Sequence, residues 1–158
     1  IYEGTNTIQS LDLLGRKVLG NNGATLKKFG KLVGALVAEE GVNEKMSEFI
    51  TPIAVLGEQL TKFTMEIGFK GSQNPDEVGA AAVDYLRVAG HFVFGYLFAR
   101  MAQVALREIA AGNTDPFYVA KLQTARFYFA KLFPETATLM RTARAGSKSL
   151  MDTDAALA

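Results

Sequence analysis

The first nine residues, Ile1-Tyr2-Glu3-Gly4-Thr5-Asn6-Thr7-Ile8-Gln9, set one carboxylate immediately ahead of a helix start and follow it with a glycine. Glycine lets a backbone or a ligand come close, and free N–H groups at a helix end favour an anion or a polarised carbonyl. In an apolar site beside Ile1 and Tyr2, the Glu3 carboxyl has a raised pKa and becomes a proton acceptor matched to a weakly acidic carbon. Judged on these residues alone, a capping role is the better reading, because Glu and Thr are ordinary residues at a helix start.

Other residues with chemical potential are few. His91, the only histidine, sits mid-helix among Val88, Phe92 and Phe94, where a packed or hydrogen-bonded imidazole is expected rather than a ligand or base. It has no metal partners in sequence, and no metal site is expected. Arg126 and Tyr128, near Lys121 and Tyr118, suggest a polar network of structural character inside the fold. No G-x-G-x-x-G turn follows a strand, so a dinucleotide fold has no support.

Helix signals run from end to end, and no stretch of six residues alternates as a half-buried strand does. The expected fold is all-α, an antiparallel helical bundle with one long central helix. Thr5 or Asn6 caps a first helix carrying Ile8, Leu11, Leu14 and Val18 on one face, which stops at Gly20-Asn21-Asn22-Gly23. A second helix fits Ala24 to Glu40 with Gly41 as its cap, and a third spans Glu44 to Phe69 with a bend at Pro52. Asn74-Pro75-Asp76-Glu77 starts a fourth that runs to Ala111 and ends at Gly112. Around Phe92, Val93, Phe94, Tyr96, Leu97 and Phe98 it is apolar on nearly every side, so neighbours are expected to cover several faces. Asp115-Pro116 opens a fifth helix that breaks at Pro134, and a short sixth follows from Glu135 to about Ala145. The many glycines inside helices suggest close crossings.

Composition narrows the function classes. The 158 residues suit one domain, 49% of them are apolar, and 17 Lys and Arg balance 16 Asp and Glu to a net charge of +1. So small a net charge makes nucleic acid an unlikely partner. The absence of cysteine excludes thiolate metal sites and thiol nucleophiles. The apolar stretch Val88 to Leu106 is interrupted by His91, Arg100 and Gln103, so it reads as a core helix, membrane association is not expected, and a cytoplasmic location fits. Opening on Ile1 and running straight into a helix, the chain reads as a piece of a longer polypeptide.

Ile1-Tyr2-Glu3-Gly4-Thr5-Asn6 followed by Ile8-Gln9 and a leucine-rich helix resembles the C-terminal signature of acyl-CoA dehydrogenases, in which a Y-E-G-T turn leads into the last helix of the dehydrogenase body. Asp115-Pro116-Phe117-Tyr118, Lys121, Thr124-Ala125-Arg126-Phe127-Tyr128 and Pro134 resemble the extra helical module of one bacterial subgroup of that family. The resemblance implies residues 1–20 as the end of the dehydrogenase body and 21–146 as the helical extension, while the small and polar residues from Ser147 read as a flexible tail over 147–158. It implies Glu3 as the catalytic base that removes the α-proton of an acyl-CoA thioester while the β-hydride passes to FAD. The Glu3 backbone N–H then bonds the thioester carbonyl. Gly4 is implied to lie against the substrate and Thr5, Asn6 and Thr7 against the flavin, although Thr7 stands where the family often has Gln. An electron-transferring flavoprotein is the implied acceptor. Apart from the resemblance, the Ile8, Leu11, Leu14 and Val18 stripe, once parted from its parent, needs cover from the module or from another copy, so a homo-oligomer is expected. Lys27, Lys28 and Lys31 form a basic face that reads as solvated, with a coenzyme A phosphate or an acidic partner as the alternative. The rival reading of the whole chain is a non-enzymatic helical interaction or oligomerisation module, and membrane-surface attachment is the weakest.

Overall fold

The computed structural model describes residues 5–152, which form an all-α helical bundle with no strand among them. Helix α1 (Asn6–Leu11) widens into a π-helical stretch (Asp12–Val18) and tightens into a 3-10 turn (Leu19–Asn21). Then follow α2 (Ala24–Glu40), a 3-10 turn (Glu44–Met46), α3 (Ser47–Gln73), α4 (Asp76–Ala110) and α5 (Pro116–Phe127). A second π-helical stretch (Tyr128–Leu132) extends α5, and α6 (Glu135–Ala143) and the short α7 (Lys148–Met151) complete the order.

The boundaries follow side-chain chemistry. Asn74 Oδ1 accepts the Asp76 N–H at 3.1 Å and Asp115 Oδ1 accepts the Phe117 N–H at 2.9 Å, each satisfying a donor that the helix start leaves open. At the end of α4, Gly112 adopts φ +84, and the N–H of Asn113 reaches back to the Glu108 carbonyl at 3.0 Å. This is the left-handed cap that glycine accommodates without strain. Gly41 does follow α2, but a β-carbon there would stand 2.7 Å from the Val37 carbonyl oxygen, so it is the close turn that demands glycine. Helix α3 runs through Pro52.

Two compact units divide the chain, and α3 and α4 contribute residues to both. Unit 1 comprises residues 1–27, 60–89 and 136–158. Its core holds Leu14, Val18, Leu60, Phe63, Ile67, Tyr85, Val88, Leu139 and Met140. Tyr85 is fully buried, and its hydroxyl meets Thr64 Oγ1 at 2.7 Å while Thr64 donates to the Leu60 carbonyl. Burial pushes the Tyr85 phenol above its ordinary pKa.

Ser147 and Glu77 tie the last described turn to the start of α4. The Glu77 carboxylate accepts both the hydroxyl and the backbone N–H of Ser147, at 2.6 and 3.0 Å, and Ser147 in turn accepts from Asn74 at 3.2 Å. Gly146 makes the approach possible with φ +78, bringing its α-carbon so close that a β-carbon would lie 3.0 Å from the carboxylate. Ser147 is 4% exposed, and α7 follows it. Residues 147–152 of the expected tail are therefore helical or hydrogen-bonded, and residues 153–158 lie outside the described ones.

Unit 2 comprises residues 28–59 and 90–135. Phe29 meets Phe92 and Tyr96 edge-on at 5.4 and 5.5 Å, and Phe49 meets Phe129 at 5.4 Å. Two of the helix glycines stand at close crossings in this unit: a β-carbon on Gly57 would meet the Phe92 ring at 3.2 Å, and one on Gly95 would meet Phe133 at 2.7 Å. The close-crossing expectation fails for Gly15, Gly30, Gly34, Gly79 and Gly90, where an added β-carbon meets nothing within 4 Å among the described residues. Cover on several faces of α4 fails likewise, because Phe94 and Leu97 are 53% and 52% exposed. Around Phe92–Phe98 the helix is apolar on nearly every side in composition, but its buried seam runs at spacings of three and four and leaves the opposite face open.

Removing the α5 cap by Asp115→Ala should destabilise the chain by about 1 kcal/mol, read as a shift in urea midpoint with an unchanged slope. The Glu77 carboxyl is held below its ordinary pKa chiefly by the Ser147 hydroxyl and then by the Ser147 backbone N–H. A folded-state pKa below the unfolded one contributes stability that is present above the unfolded value of about 4.3 and lost as pH falls through the folded value. Ser147→Ala should therefore lower stability at neutral pH and flatten its decline in that acid window, measured by urea unfolding across pH. An unaltered pH profile in that variant would contradict the assignment.

Candidate functional site

Of the residues expected to carry the chemistry, Glu3 and Gly4 lie outside the described residues, as do Ile1 and Tyr2. Thr5, Asn6 and Thr7 are described and exposed. Thr5 holds the N-cap position of α1, but it does so through its backbone: its carbonyl accepts the Gln9 N–H at 2.9 Å, and its hydroxyl makes no capping bond. Ser10, fully buried, donates to the Thr7 carbonyl at 2.8 Å.

The helix behind this segment departs from its expected face. Leu14 and Val18 are buried, whereas Ile8 and Leu11 are 65% and 44% exposed. The buried positions are Ser10, Leu14 and Val18, four residues apart. A π-helical stretch takes more residues per turn than an α-helix, so a spacing of four stays on one side where a spacing of three drifts off it. Ser10 is the residue that apolar periodicity misses, and its only signal is its place four residues before Leu14. Asp12, in this stretch, is lowered to about 2 by its bond to Arg16 and then by Lys17 at 3.0 Å.

His91 is the other site that the sequence brought forward. Its Nδ1 meets the Tyr128 hydroxyl at 2.9 Å and its Nε2 meets the Glu135 carboxylate at 3.2 Å. Tyr128 is 4% exposed, stacks on Phe98 with ring centroids 4.2 Å apart, and is pushed up to about 12 by burial. A phenol so far above neutrality stays protonated, and Tyr128 donates to Nδ1 if the imidazole is neutral. When the imidazole instead donates to it, the His91 carbonyl at 3.4 Å accepts the phenol proton. This is a satisfied structural network. No group of three or more His, Cys, Asp or Glu fit to hold a metal occurs among the described residues.

The expected grouping of Arg126, Tyr128, Lys121 and Tyr118 does not form. Arg126 pairs with Glu48 at 2.9 Å, Lys121 lies 5.1 Å over the Phe117 ring, and Tyr128 turns to His91. Lys27, Lys28 and Lys31 are exposed, in keeping with a solvated face. No helix among the described residues is long and apolar enough to cross a membrane.

Thr5, Asn6 and Thr7 are exposed, and none of their side chains has a hydrogen-bond partner among the described residues. The cleft recorded in unit 1 is lined by Leu11, Pro75 and Leu150 among others, and does not include them.

Comparison with known proteins places relatives of this chain among acyl-CoA dehydrogenases. The chain is 30% identical over 138 residues to a 3-methylmercaptopropionyl-CoA dehydrogenase of Ruegeria pomeroyi, covering 85% of this chain and 23% of that protein. It is 26% identical over 159 residues to a butyryl-CoA dehydrogenase of Syntrophomonas wolfei, covering 96% and 25%. A broad-specificity linear acyl-CoA dehydrogenase of Mycobacterium tuberculosis is 24% identical over 166 residues, covering 99% and 27%. The chain thus spans about a quarter of the length of the curated relatives it matches. The resemblance to the C-terminal part of acyl-CoA dehydrogenases is borne out. With a family model matching residues 24–154, the chain belongs to the family described as Acetyl-CoA dehydrogenase C-terminal like.

Proposed function

We propose that the chain is the C-terminal part of an FAD-dependent acyl-CoA dehydrogenase whose parent oxidises an acyl-CoA thioester to the trans-2-enoyl-CoA. The observation that carries this reading is the family match over residues 24–154 standing directly behind the Ile1-Tyr2-Glu3-Gly4-Thr5-Asn6 motif. Relatives named for acyl-CoA substrates support it. Residues 1–20 belong to the dehydrogenase body on this reading, and 21–146 form the extension module.

Glu3 is the general base. Its carboxylate takes the α-proton of the thioester, and its backbone N–H bonds the thioester oxygen as negative charge develops there. FAD, when bound, supplies the acceptor for the β-hydride. Gly4 leaves room for the acyl chain beside the base, and Thr5, Asn6 and Thr7 offer the exposed polar groups that border the cofactor. Thr7 reaches less far than the Gln common in the family. Reoxidation by an electron-transferring flavoprotein, a homo-oligomeric parent and a cytoplasmic location belong to the same reading.

His91 separates structural from chemical roles. In the full-length parent, Glu3→Gln should keep the fold and the flavin content but lower turnover by several orders of magnitude, since an amide accepts no proton. His91→Gln should lower stability by about 1–2 kcal/mol, through the weakened partner of a buried phenol, and leave turnover unchanged. Stopped-flow flavin bleaching and thermal melts distinguish the two, and near-normal turnover in Glu3→Gln would remove the base assignment. The 158-residue chain alone should neither retain FAD nor reduce a dye with acyl-CoA, because proton and hydride transfer need both ligands held in register by the rest of the parent. Stoichiometric flavin absorbance after gel filtration would overturn that expectation.

A further inference from the structure

Unit 1 contains a cleft of about 560 Å³ with a largely apolar lining, in which Leu11 of α1, Pro75 and Val78 at the start of α4, and Leu150 and Met151 of α7 come together. Three of these side chains face solvent: Leu11, Leu150 and Met151 are 44%, 63% and 59% exposed. Ile8, one turn before Leu11, is 65% exposed. Gly79 also lines the cleft, and an added β-carbon there meets nothing within 4 Å among the described residues. No described crossing within the chain explains a glycine in that helix interior, while a surface approaching from outside does.

We propose that this cleft seats the part of the dehydrogenase body that precedes residue 1 in the parent polypeptide, and that the Ile8–Leu11 edge of α1, the last helix of that body, continues the same contact. The proposal rests on the functional reading above. Matched relatives have about three quarters of their length outside the part that this chain covers, and the family is described as C-terminal, so the remaining polypeptide precedes the chain. Polypeptide leading into α1 is tethered within ten residues of Leu11, so the body meets the cleft at high effective concentration. A second copy lacks that advantage. The chain's own last residues, Thr153-Asp154-Ala155-Ala156-Leu157-Ala158, offer one large apolar side chain, too little for a cleft of this volume. Exposed apolar groups grouped around a glycine suit a packed helix surface of the body.

The test places a photoreactive benzoyl-phenylalanine at Leu150 in the full-length parent and maps the cross-link by mass spectrometry. The expected product is an intramolecular link to a residue ahead of Ile1, lost in an Ile8→Glu variant. Ile8 is exposed in this chain, so melting of the 158-residue chain should be unchanged by that substitution, and this confirms that the loss of the link is not unfolding. A link to a second subunit, a link to residues 153–158, or no link overturns the proposal. Dye reduction with acyl-CoA on the same preparation keeps the two readings apart. Turnover without the link removes the docking surface alone, and the link without turnover removes the acyl-CoA reading alone.

Discussion

A seam along α4 constrains both units. Tyr85, Val88, Phe92, Gly95, Ala99, Ala102 and Ala105 are buried at spacings of three and four, large at first and small afterwards. Close packing requires each size to meet its complement. In unit 2, Gly95 receives the Phe133 ring and the Ile53 side chain, and Phe92 fills the space left by Gly57 and meets Phe29 edge-on. In unit 1, the hydroxyl of the buried Tyr85 is paired with Thr64 of α3, and Asp84 accepts from Thr142 of α6 at 2.6 Å. At 1.5 Å per residue, α4 extends about 52 Å, and it contributes residues to the core of each unit.

Departures from regular helix follow from local chemistry. Pro134 has no N–H to donate, and its ring crowds the carbonyl four residues back. The chain widens just ahead of it, and the Phe133 N–H reaches the Tyr128 carbonyl at 3.0 Å, five residues away. In an α-helix, residues five apart point to different sides. The wider turn brings Tyr128 and Phe133 into one core, with rings 6.2 Å apart, and so places the Tyr128 hydroxyl at His91.

These same widened turns mark where sequence reading stopped working. Caps were legible because Asn74, Asp115 and Gly112 act within two or three residues of themselves, and all-α architecture was legible because long apolar periods are a strong signal. The Ile8–Leu11 face was misassigned because periodicity assumes 3.6 residues per turn and Asp12–Val18 does not obey it. Exposure of Phe94 and Leu97 was illegible for another reason: composition states that a face is apolar, not what covers it. The Glu77–Ser147 bond joins residues seventy apart, a separation that local sequence patterns do not span. At the candidate site, capping chemistry narrowed the helix start to Thr5 or Asn6 and the backbone selects Thr5, while Glu3 and Gly4 lie outside the described residues.

The electrostatics of the described residues bear on where the chemistry resides. A base for a weakly acidic carbon needs a carboxyl whose pKa is raised, usually by removal from water without a cation beside it. Asp12, Glu66 and Glu77 are all displaced the other way: Arg16 holds Asp12 down, Arg144 at 2.9 Å holds Glu66 down, and the Ser147 hydroxyl holds Glu77 down. Each is a stabilised anion with a structural partner and a weakened appetite for protons. Tyr85 and Tyr128 move up through burial and remain protonated, so they serve as donors. This pattern suits a module that fixes its own helices with charge and hydroxyl pairs. On the reading proposed above the base is Glu3, and raising its pKa is then the task of polypeptide beyond this chain that removes it from water.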